Sequence, residues 1–507
     1  MAKRTAIIDI GSNSARLVIF ERTSRYGFHL ICEKKSKVRI GEGAYEKEGY
    51  LQPIGIERAF LALQSFLQTI QHYQVKKVRC VATSALRDAP NASLFIAWVK
   101  EHLGLEIRVI SGEMEARYGA IAVKNLLPIQ SAITIDIGGG SSDLTQIQNG
   151  EIVACYSLDI GTVRLKELFF DKELPMEQKH QEANAYIQKA LQQLPSSFKG
   201  TLAVGIGGTA RTLSKAIMKR SKHPLDKLHA FEYEVAPLLE YFQAITQSSA
   251  KGLKAFQLKK SRYDTIREGT LIFQAILAHI GAKRCITSSV GVREGVFLEQ
   301  LLKHNHLSFP PEINPSVTSI LDRFSHFIPK ASQHNHALQL SKSLCAHFEA
   351  FITLTKQEKE ALFVALKLSS IGKHLTLYKS HQHAFYIAMQ ELNYQFSHQE
   401  MILIAMLLRI DKKELLNQPL FKTFEPLLPS RERLLWLYFF YALSTTLTKV
   451  SYGGDISFHF EKSQLIITSN TSLYLAKESI KAIHKPIPFA IMIRDCEKIP
   501  KHSDLGV

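Results

Sequence analysis

One short segment occurs twice, and it constrains the fold more than anything else in the chain. Ala6-Ile-Ile-Asp-Ile-Gly-Ser-Asn-Ser14 returns 127 residues later as Ile133-Thr-Ile-Asp-Ile-Gly-Gly-Gly-Ser141. Each copy is an apolar run ending in Asp, then a glycine turn with small polar residues. A second strand-like run follows, Arg16 to Glu21 in one copy and Asp143 to Ile147 in the other. That pattern predicts a β-hairpin whose tip carries no bulky side chain. Glycine there permits the backbone angles that turn successive amides toward one anion. Ser12, Ser14, Ser141 and Ser142 add hydroxyl donors. Two such hairpins predict two related α/β lobes facing each other across a cleft suited to a phosphate-rich polyanion.

The sequence between and after the hairpins keeps the α/β alternation. Leu51 to Tyr73 has helical periodicity, Lys77 to Thr83 reads as a buried strand, and Ser93 to Leu103 is again helical. A strand over Glu106 to Ile110 precedes a helix from Gly112. Past the second hairpin, Glu151 to Leu158 is strand-like and Thr162 to Phe170 starts a helix. Leu202 to Ile206 then runs into Gly207-Gly208-Thr209 and a helix over Ala210 to Met218. Cys285 to Gly295 and a helix over Val296 to Lys303 close this region. Strands alternating with helices mean α/β layers. Three prolines in Phe309 to Pro315 mark a boundary, because such a run continues neither a helix nor a central strand. Helical patterning holds from Pro315 to about Leu447, and a small α/β element ends the chain. The expected division is 1–122 and 123–308 for the two lobes, 309–447 for the helical domain and 448–507 for the last element.

The formal net charge of +17 favours polyanionic partners, but no basic–aromatic motif specifies nucleic acid. Six scattered cysteines without a Cys-x-x-Cys pair suit buried thiols in a reducing compartment. No signal peptide precedes the first strand. The longest apolar stretch, Leu434 to Leu443, is about half the length that spans a bilayer. The expectation is a cytoplasmic protein with no membrane partner.

Six motifs occur in one order. They are Ile8-Asp-Ile-Gly-Ser-Asn-Ser14, Thr83-Ser-Ala-Leu-Arg-Asp-Ala89, Ile110-Ser-Gly-Glu-Met-Glu-Ala-Arg117, Ile135-Asp-Ile-Gly-Gly-Gly-Ser-Ser-Asp143, Ser157-Leu-Asp-Ile-Gly-Thr-Val-Arg164 and Gly205-Ile-Gly-Gly-Thr209. Together they resemble the exopolyphosphatase / guanosine pentaphosphate phosphohydrolase (Ppx/GppA) family over roughly residues 5 to 300. The resemblance implies two lobes of the actin, Hsp70 and sugar-kinase type (ribonuclease H-like) facing a cleft. It also implies a following α-helical HD-like domain.

Roles follow from the resemblance residue by residue. Glu115 falls where the family has its catalytic carboxylate, which orients and deprotonates the attacking water. Glu113 is the bystander. Arg87 resembles the family's phosphate-contacting arginine, whose guanidinium neutralises two phosphate oxygens at once. Gly11, Ser12, Asn13, Ser14, Gly138, Gly139, Gly140, Ser141 and Ser142 would hold phosphate at the tips, with Gly207 and Gly208 at the cleft floor. Asp136, Asp9 and Asp143 are the candidates to hold Mg²⁺ or another divalent cation through hard oxygens. Arg267 and Arg293 read as structural ion-pairing residues. In the helical region Ser369-Ser370 replaces the usual His-Asp pair, so a second metal site is not expected there. His381 and His383 read as packing or anion-contacting residues. Lys367, Lys373, Lys379, Arg409, Lys412 and Lys413 could extend a basic channel.

The implied reaction cuts a terminal phosphoanhydride, releasing phosphate from inorganic polyphosphate or converting guanosine pentaphosphate to the tetraphosphate. Two other readings stay open. One is an actin-superfamily kinase or ATPase, and the other is an alarmone-binding protein without turnover. Long relatives imply a homodimer.

Overall fold

The computed structural model describes residues 3–44, 47–324, 332–410, 419–451 and 454–495. Lys412, Lys413 and Cys496 lie outside them. The chain divides into two units, 1–315 with 393–395, and 316–392 with 396–507.

In the first unit each repeated segment folds as the predicted hairpin. The first is β1 (Lys3–Ile10) and β2 (Ala15–Arg22), continued by β3 (Phe28–Ser36). Helix α1 (Pro53–His72) leads to β4 (Lys77–Ala82), α2 (Ser84–Asp88), α3 (Ala92–Leu103), β5 (Ile107–Val109) and α4 (Gly112–Leu126). The strands lie in the order β3-β2-β1-β4-β5, with the first three antiparallel and β1, β4 and β5 parallel.

The second hairpin is β6 (Ala132–Ile137) and β7 (Ser142–Gln148), continued by β8 (Glu151–Leu158). Then come α5 (Thr162–Leu165), a π-helical turn over Lys166–Phe170, α6 (Met176–Leu191), β9 (Leu202–Ile206), α7 (Gly207–Arg220), β10 (Glu232–Glu234), α8 (Leu239–Gln247), α9 (Ile266–Ile280), β11 (Arg284–Thr287) and α10 (Val292–Leu301). Here the order is β10-β11-β9-β6-β7-β8. Read from the meander inward, β8-β7-β6-β9-β11 repeats β3-β2-β1-β4-β5 in order and direction. The two short repeats therefore mark a duplicated α/β sheet, the two-lobed actin-like arrangement.

The packing explains where the site can form. Ala6, Ile8 and Ile10 point from β1 to one face of the first sheet and meet α1 and α3. The alternate residue Ile7, with Val18 and Val81, points to the other face and meets Tyr118 of α4 and Val296 of α10. Helix α4 also packs on the second sheet, where Thr145 of β7 donates a hydrogen bond of 3.1 Å to the Ala116 carbonyl. It thus lies between the sheets, while α10 returns from the second sheet to the first. Their backbones touch at Gly295, where a Cβ would stand 2.0 Å from the Tyr118 carbonyl oxygen. Any larger residue would separate the helices.

Some boundaries differ from expectation. Helix α7 starts at Gly207 and α10 at Val292, rather than at Ala210 and Val296. Both helices begin on the glycine turn itself. In α10 the Glu294 carboxylate accepts from the Gly291 amide at 2.7 Å, a cap that replaces the missing serine or aspartate.

The second unit holds α11 (Pro315–Phe324), α12 (Ser332–His347), α13 (Lys356–Leu368), α14 (Ser380–Glu391), α15 (His398–Arg409), α16 (Pro419–Phe424) and α17 (Arg431–Ser451). A three-stranded sheet follows, built from β12 (Ile456–Glu461), β13 (Gln464–Ser469) and β14 (Ala490–Arg494), with α18 (Tyr474–Lys481). Phe348 joins helices and sheet into one core. Its ring lies 5.0 Å from Trp436, 4.9 Å from Phe460 and 5.6 Å from Phe489. No helix among the described residues is long and apolar enough to cross a membrane.

Candidate active site

Both hairpin tips close with the same hydrogen bond, Gly11 N–H to the Ser14 carbonyl at 3.2 Å and Gly138 N–H to the Ser141 carbonyl at 2.9 Å. Their carbonyls are turned to neighbouring segments. Those of Ser12 and Asn13 accept from Gly41 and Arg39, and those of Gly138 and Gly139 accept from the amides of Thr162, Val163 and Arg164. The Gly140 carbonyl accepts from the Arg164 guanidinium at 2.8 Å. The amides of Ser12, Asn13, Gly139 and Gly140 have no acceptor among the described residues. Unpaired amides at two facing glycine turns make an anion-binding surface. The tips are in contact, since a Cβ on Gly139 would stand 2.8 Å from the Ser12 Cβ.

Between the tips lies a cavity of about 150 Å³. Of the expected phosphate-holding residues, Gly11, Ser12, Asn13, Ser14, Gly138, Gly139, Ser141, Gly207 and Gly208 line it, as do Asp9, Asp136 and Glu115. Gly140 and Ser142 do not line it. The Ser142 hydroxyl is buried and donates to the Ile160 carbonyl, so it is committed away from the cavity.

Glu115 sits in the first turn of α4, which Ser111 caps by accepting from the Met114 amide at 3.2 Å. Arg87, at the end of α2, reaches Glu115 Oε2 at 3.4 Å and the Ile110 carbonyl at 3.2 Å. Glu113 is exposed. Burial, reinforced by the charge of Asp143, holds the Glu115 carboxyl well above the usual carboxylate range, against the pull of Arg87. Burial raises Asp9 as well, and with the charge of Asp9 it raises Asp136 to about 6. Asp143 lies behind the cavity wall, where Ser157 donates to its Oδ1 at 2.5 Å. Burial and the charge of Asp136 push it up to about 7.

The metal candidates do not gather into one cage. Among the described residues no three His, Cys, Asp or Glu side chains are placed to share an ion. Asp9 and Asp136 both line the cavity as hard oxygen donors that repel one another, whereas Asp143 is turned to Ser157. Two facing carboxylates fit an ion that keeps water and phosphate oxygens as its other ligands.

A set of cations completes the cavity, and most of it stands outside the six motifs. Arg16, Lys35, Arg211, Arg262 and Arg293 all line it. Burial lowers Arg211 to about 10, with Arg293 and Arg16 adding to the shift. Burial likewise lowers Lys35 to about 8, assisted by Arg16 and Arg262. Cations that depress one another leave positive potential for an anion to neutralise. Arg293 does pair with Glu33, at 2.9 Å, as its structural role requires, yet it also faces the cavity. Arg267 lies near Glu268 at 3.8 Å and does not line it.

Hairpin symmetry explains this polarity. Asp9 pairs across β1–β2 with Arg16, and the equivalent Asp136 pairs across β6–β7 with Asp143. One backbone plan thus carries a cation on the first hairpin and a carboxylate on the second. That pairing could have been read from the aligned repeats.

The sequence profile of the Ppx/GppA phosphatase family matches residues 18–304. Exopolyphosphatase 2 of Mycobacterium tuberculosis is 29% identical over 314 residues, covering 58% of this chain and 98% of that protein. The crystal structure of the Aquifex aeolicus Ppx/GppA family member is 31% identical, with a TM-score of 0.51 over 60% of this chain and 100% of that one. An exopolyphosphatase structure from Cytophaga hutchinsonii, 22% identical, shares the fold with a TM-score of 0.55 over 59% of this chain and 98% of its own. The matched stretch runs from within β2 to just past α10, so it contains Glu115 and the second hairpin tip, while the first tip precedes it; it spans more than half of the chain, and the chain belongs to the Ppx/GppA phosphatase family.

Proposed function

We propose that this chain hydrolyses a terminal phosphoanhydride, releasing phosphate from inorganic polyphosphate or converting guanosine pentaphosphate to the tetraphosphate. The observation that carries the reading is the placement of Glu115. It is a carboxylate of raised pKa facing two glycine tips with four uncommitted amides, and Arg87 lies beside it. The amides and the cations of the cavity hold the phosphates behind the scissile bond, and Arg87 steadies the transferred phosphoryl group. Glu115 accepts the proton of the attacking water. A raised pKa improves a carboxylate for that task near neutral pH, provided it is ionised when the water attacks. Asp9 and Asp136 would hold a Mg²⁺ ion, which screens phosphate charge.

The remaining parts are assigned on the same footing. Residues 1–122 and 123–308 form the lobes, 309–447 an HD-like helical domain and 448–507 the closing α/β element. The Ser369 hydroxyl, at the place of the expected His-Asp pair, donates to the Leu366 carbonyl at 2.8 Å. The assembly is a cytoplasmic homodimer, with no membrane or nucleic-acid partner. The test is phosphate release from polyphosphate and from guanosine pentaphosphate, side by side and without any acceptor. Release from either supports hydrolysis. Transfer only to an added hydroxyl acceptor means a kinase, and tight binding with no release means a receptor.

A further inference from the structure

A second concave surface lies in the first unit and shares no lining residue with the cavity. It is a groove of about 900 Å³ walled by β4, β5, α3, α4 and the end of α10. Lys76, Lys77, Arg79, Lys100, Arg108 and Lys303 line it, against the single lining carboxylate Glu106. Glu106 pairs with Lys100 at 3.2 Å. The other five cations make no ion pair or side-chain hydrogen bond among the described residues. At the floor, buried Tyr118 donates to Glu299 at 3.1 Å. Burial and the Glu299 carboxylate raise the Tyr118 hydroxyl, and Arg108 and Arg79 in the same lining oppose that rise.

A merely solvated basic face spreads its charges outward. Here six cations from segments far apart in sequence meet in one concavity against two carboxylates, Glu106 in the wall and Glu299 beneath Tyr118, and the excess of positive charge is a self-repulsion that an anion would relieve. We infer that this groove is a second, non-catalytic binding site for a linear chain of linked phosphates. Stacked nucleic-acid bases fit it less well, because Tyr118, its one aromatic among the described lining residues, is buried beneath the surface. The groove is joined to the cavity by covalent structure. Strand β4 runs from Lys77 in the groove toward Thr83 and Ser84 in the cavity, and α4 carries Tyr118 one turn beyond Glu115. A long chain held at both places would bind more tightly than a short one.

Only the choice of ligand rests on the proposed function. The test uses the full chain with Glu115→Gln, so that ligand is not consumed, with and without Lys77→Gln/Arg79→Gln/Arg108→Gln. Calorimetric titration with inorganic tripolyphosphate is expected to show two classes of site. The groove substitutions should weaken one class by roughly tenfold to a hundredfold while leaving the other. Phosphate release by the same triple variant carrying Glu115 should match the parent on short chains and show a raised KM on long ones. Guanosine triphosphate in place of tripolyphosphate distinguishes a nucleotide from a free chain. A single class of site untouched by the substitutions overturns the inference, as does a groove that prefers single-stranded RNA to tripolyphosphate. A groove class that is present while the parent releases no phosphate would instead leave the inference standing and refute hydrolysis. All six substituted or lining cations are exposed, so thermal denaturation of the triple variant should match the parent.

Discussion

Gly207 opens α7 with φ at +75°, and a Cβ there would stand 2.2 Å from the Asp136 Oδ1. Replacing it with alanine therefore does two things. An L-residue in the left-handed region costs about 1–2 kcal/mol, and forcing an extra methyl into filled space adds about 1–3 kcal/mol. The collision is with the end of a side chain, so the carboxylate can swing aside, and the heavier loss falls on function. Gly281 separates the two effects. Its φ is also +75°, but nothing lies within 4 Å of its would-be Cβ. Gly281→Ala should cost only the backbone strain, about 1–2 kcal/mol, with phosphate release intact. Gly207→Ala should cost about 2–5 kcal/mol and abolish release. Urea denaturation of both variants beside an acceptor-free phosphate assay makes the comparison. If the two lose equal stability and both keep turnover, the placement of Gly207 against Asp136 is refuted.

Two further outcomes follow from the buried charges. Burial raises Glu268, which is 0% exposed, to about 7, above the 4.5 of a free glutamate. The folded state then binds the proton more tightly, so stability present below about pH 4.5 is lost as pH rises through 7, a cost of about 3 kcal/mol once ionised. Glu268→Gln should thus be more stable than the parent at pH 8 and similar at pH 4.5 by denaturant unfolding. An unchanged pH dependence would remove that account. Arg87→Ala should lower turnover by about a hundredfold or more. It should also move the acid limb of the pH–rate profile upward, because Arg87 is what pulls the Glu115 pKa down. A rate loss with an unmoved limb would uncouple the two residues.

What the sequence made legible was local and repeated. Asp9 to Ser14 and Asp136 to Ser141 name their own turns, because a strand, a glycine turn and a returning strand need only neighbouring residues. Glu115 is marked by its motif, and its capped helix start holds it at the cavity. The cations carry no such local signal. Lys35, Arg211 and Arg262 come from β3, α7 and the segment before α9, and only the closed fold brings them together. Ser142 read as a ligand because it stands beside Ser141, yet alternation along β7 turns its hydroxyl to Ile160. Helix starts at Gly207 and Val292 were displaced because a glycine before a helix looks like a break until its amide or its cap is seen.

The central claim is that Glu115 activates water against a phosphate chain held by the two hairpin tips. The most direct measurement is acceptor-free phosphate release from polyphosphate by the parent and by Glu115→Gln, with substrate binding measured on both. Release should fall by about a hundredfold to ten-thousandfold in the variant while binding stays measurable. Parental turnover in Glu115→Gln would contradict the account.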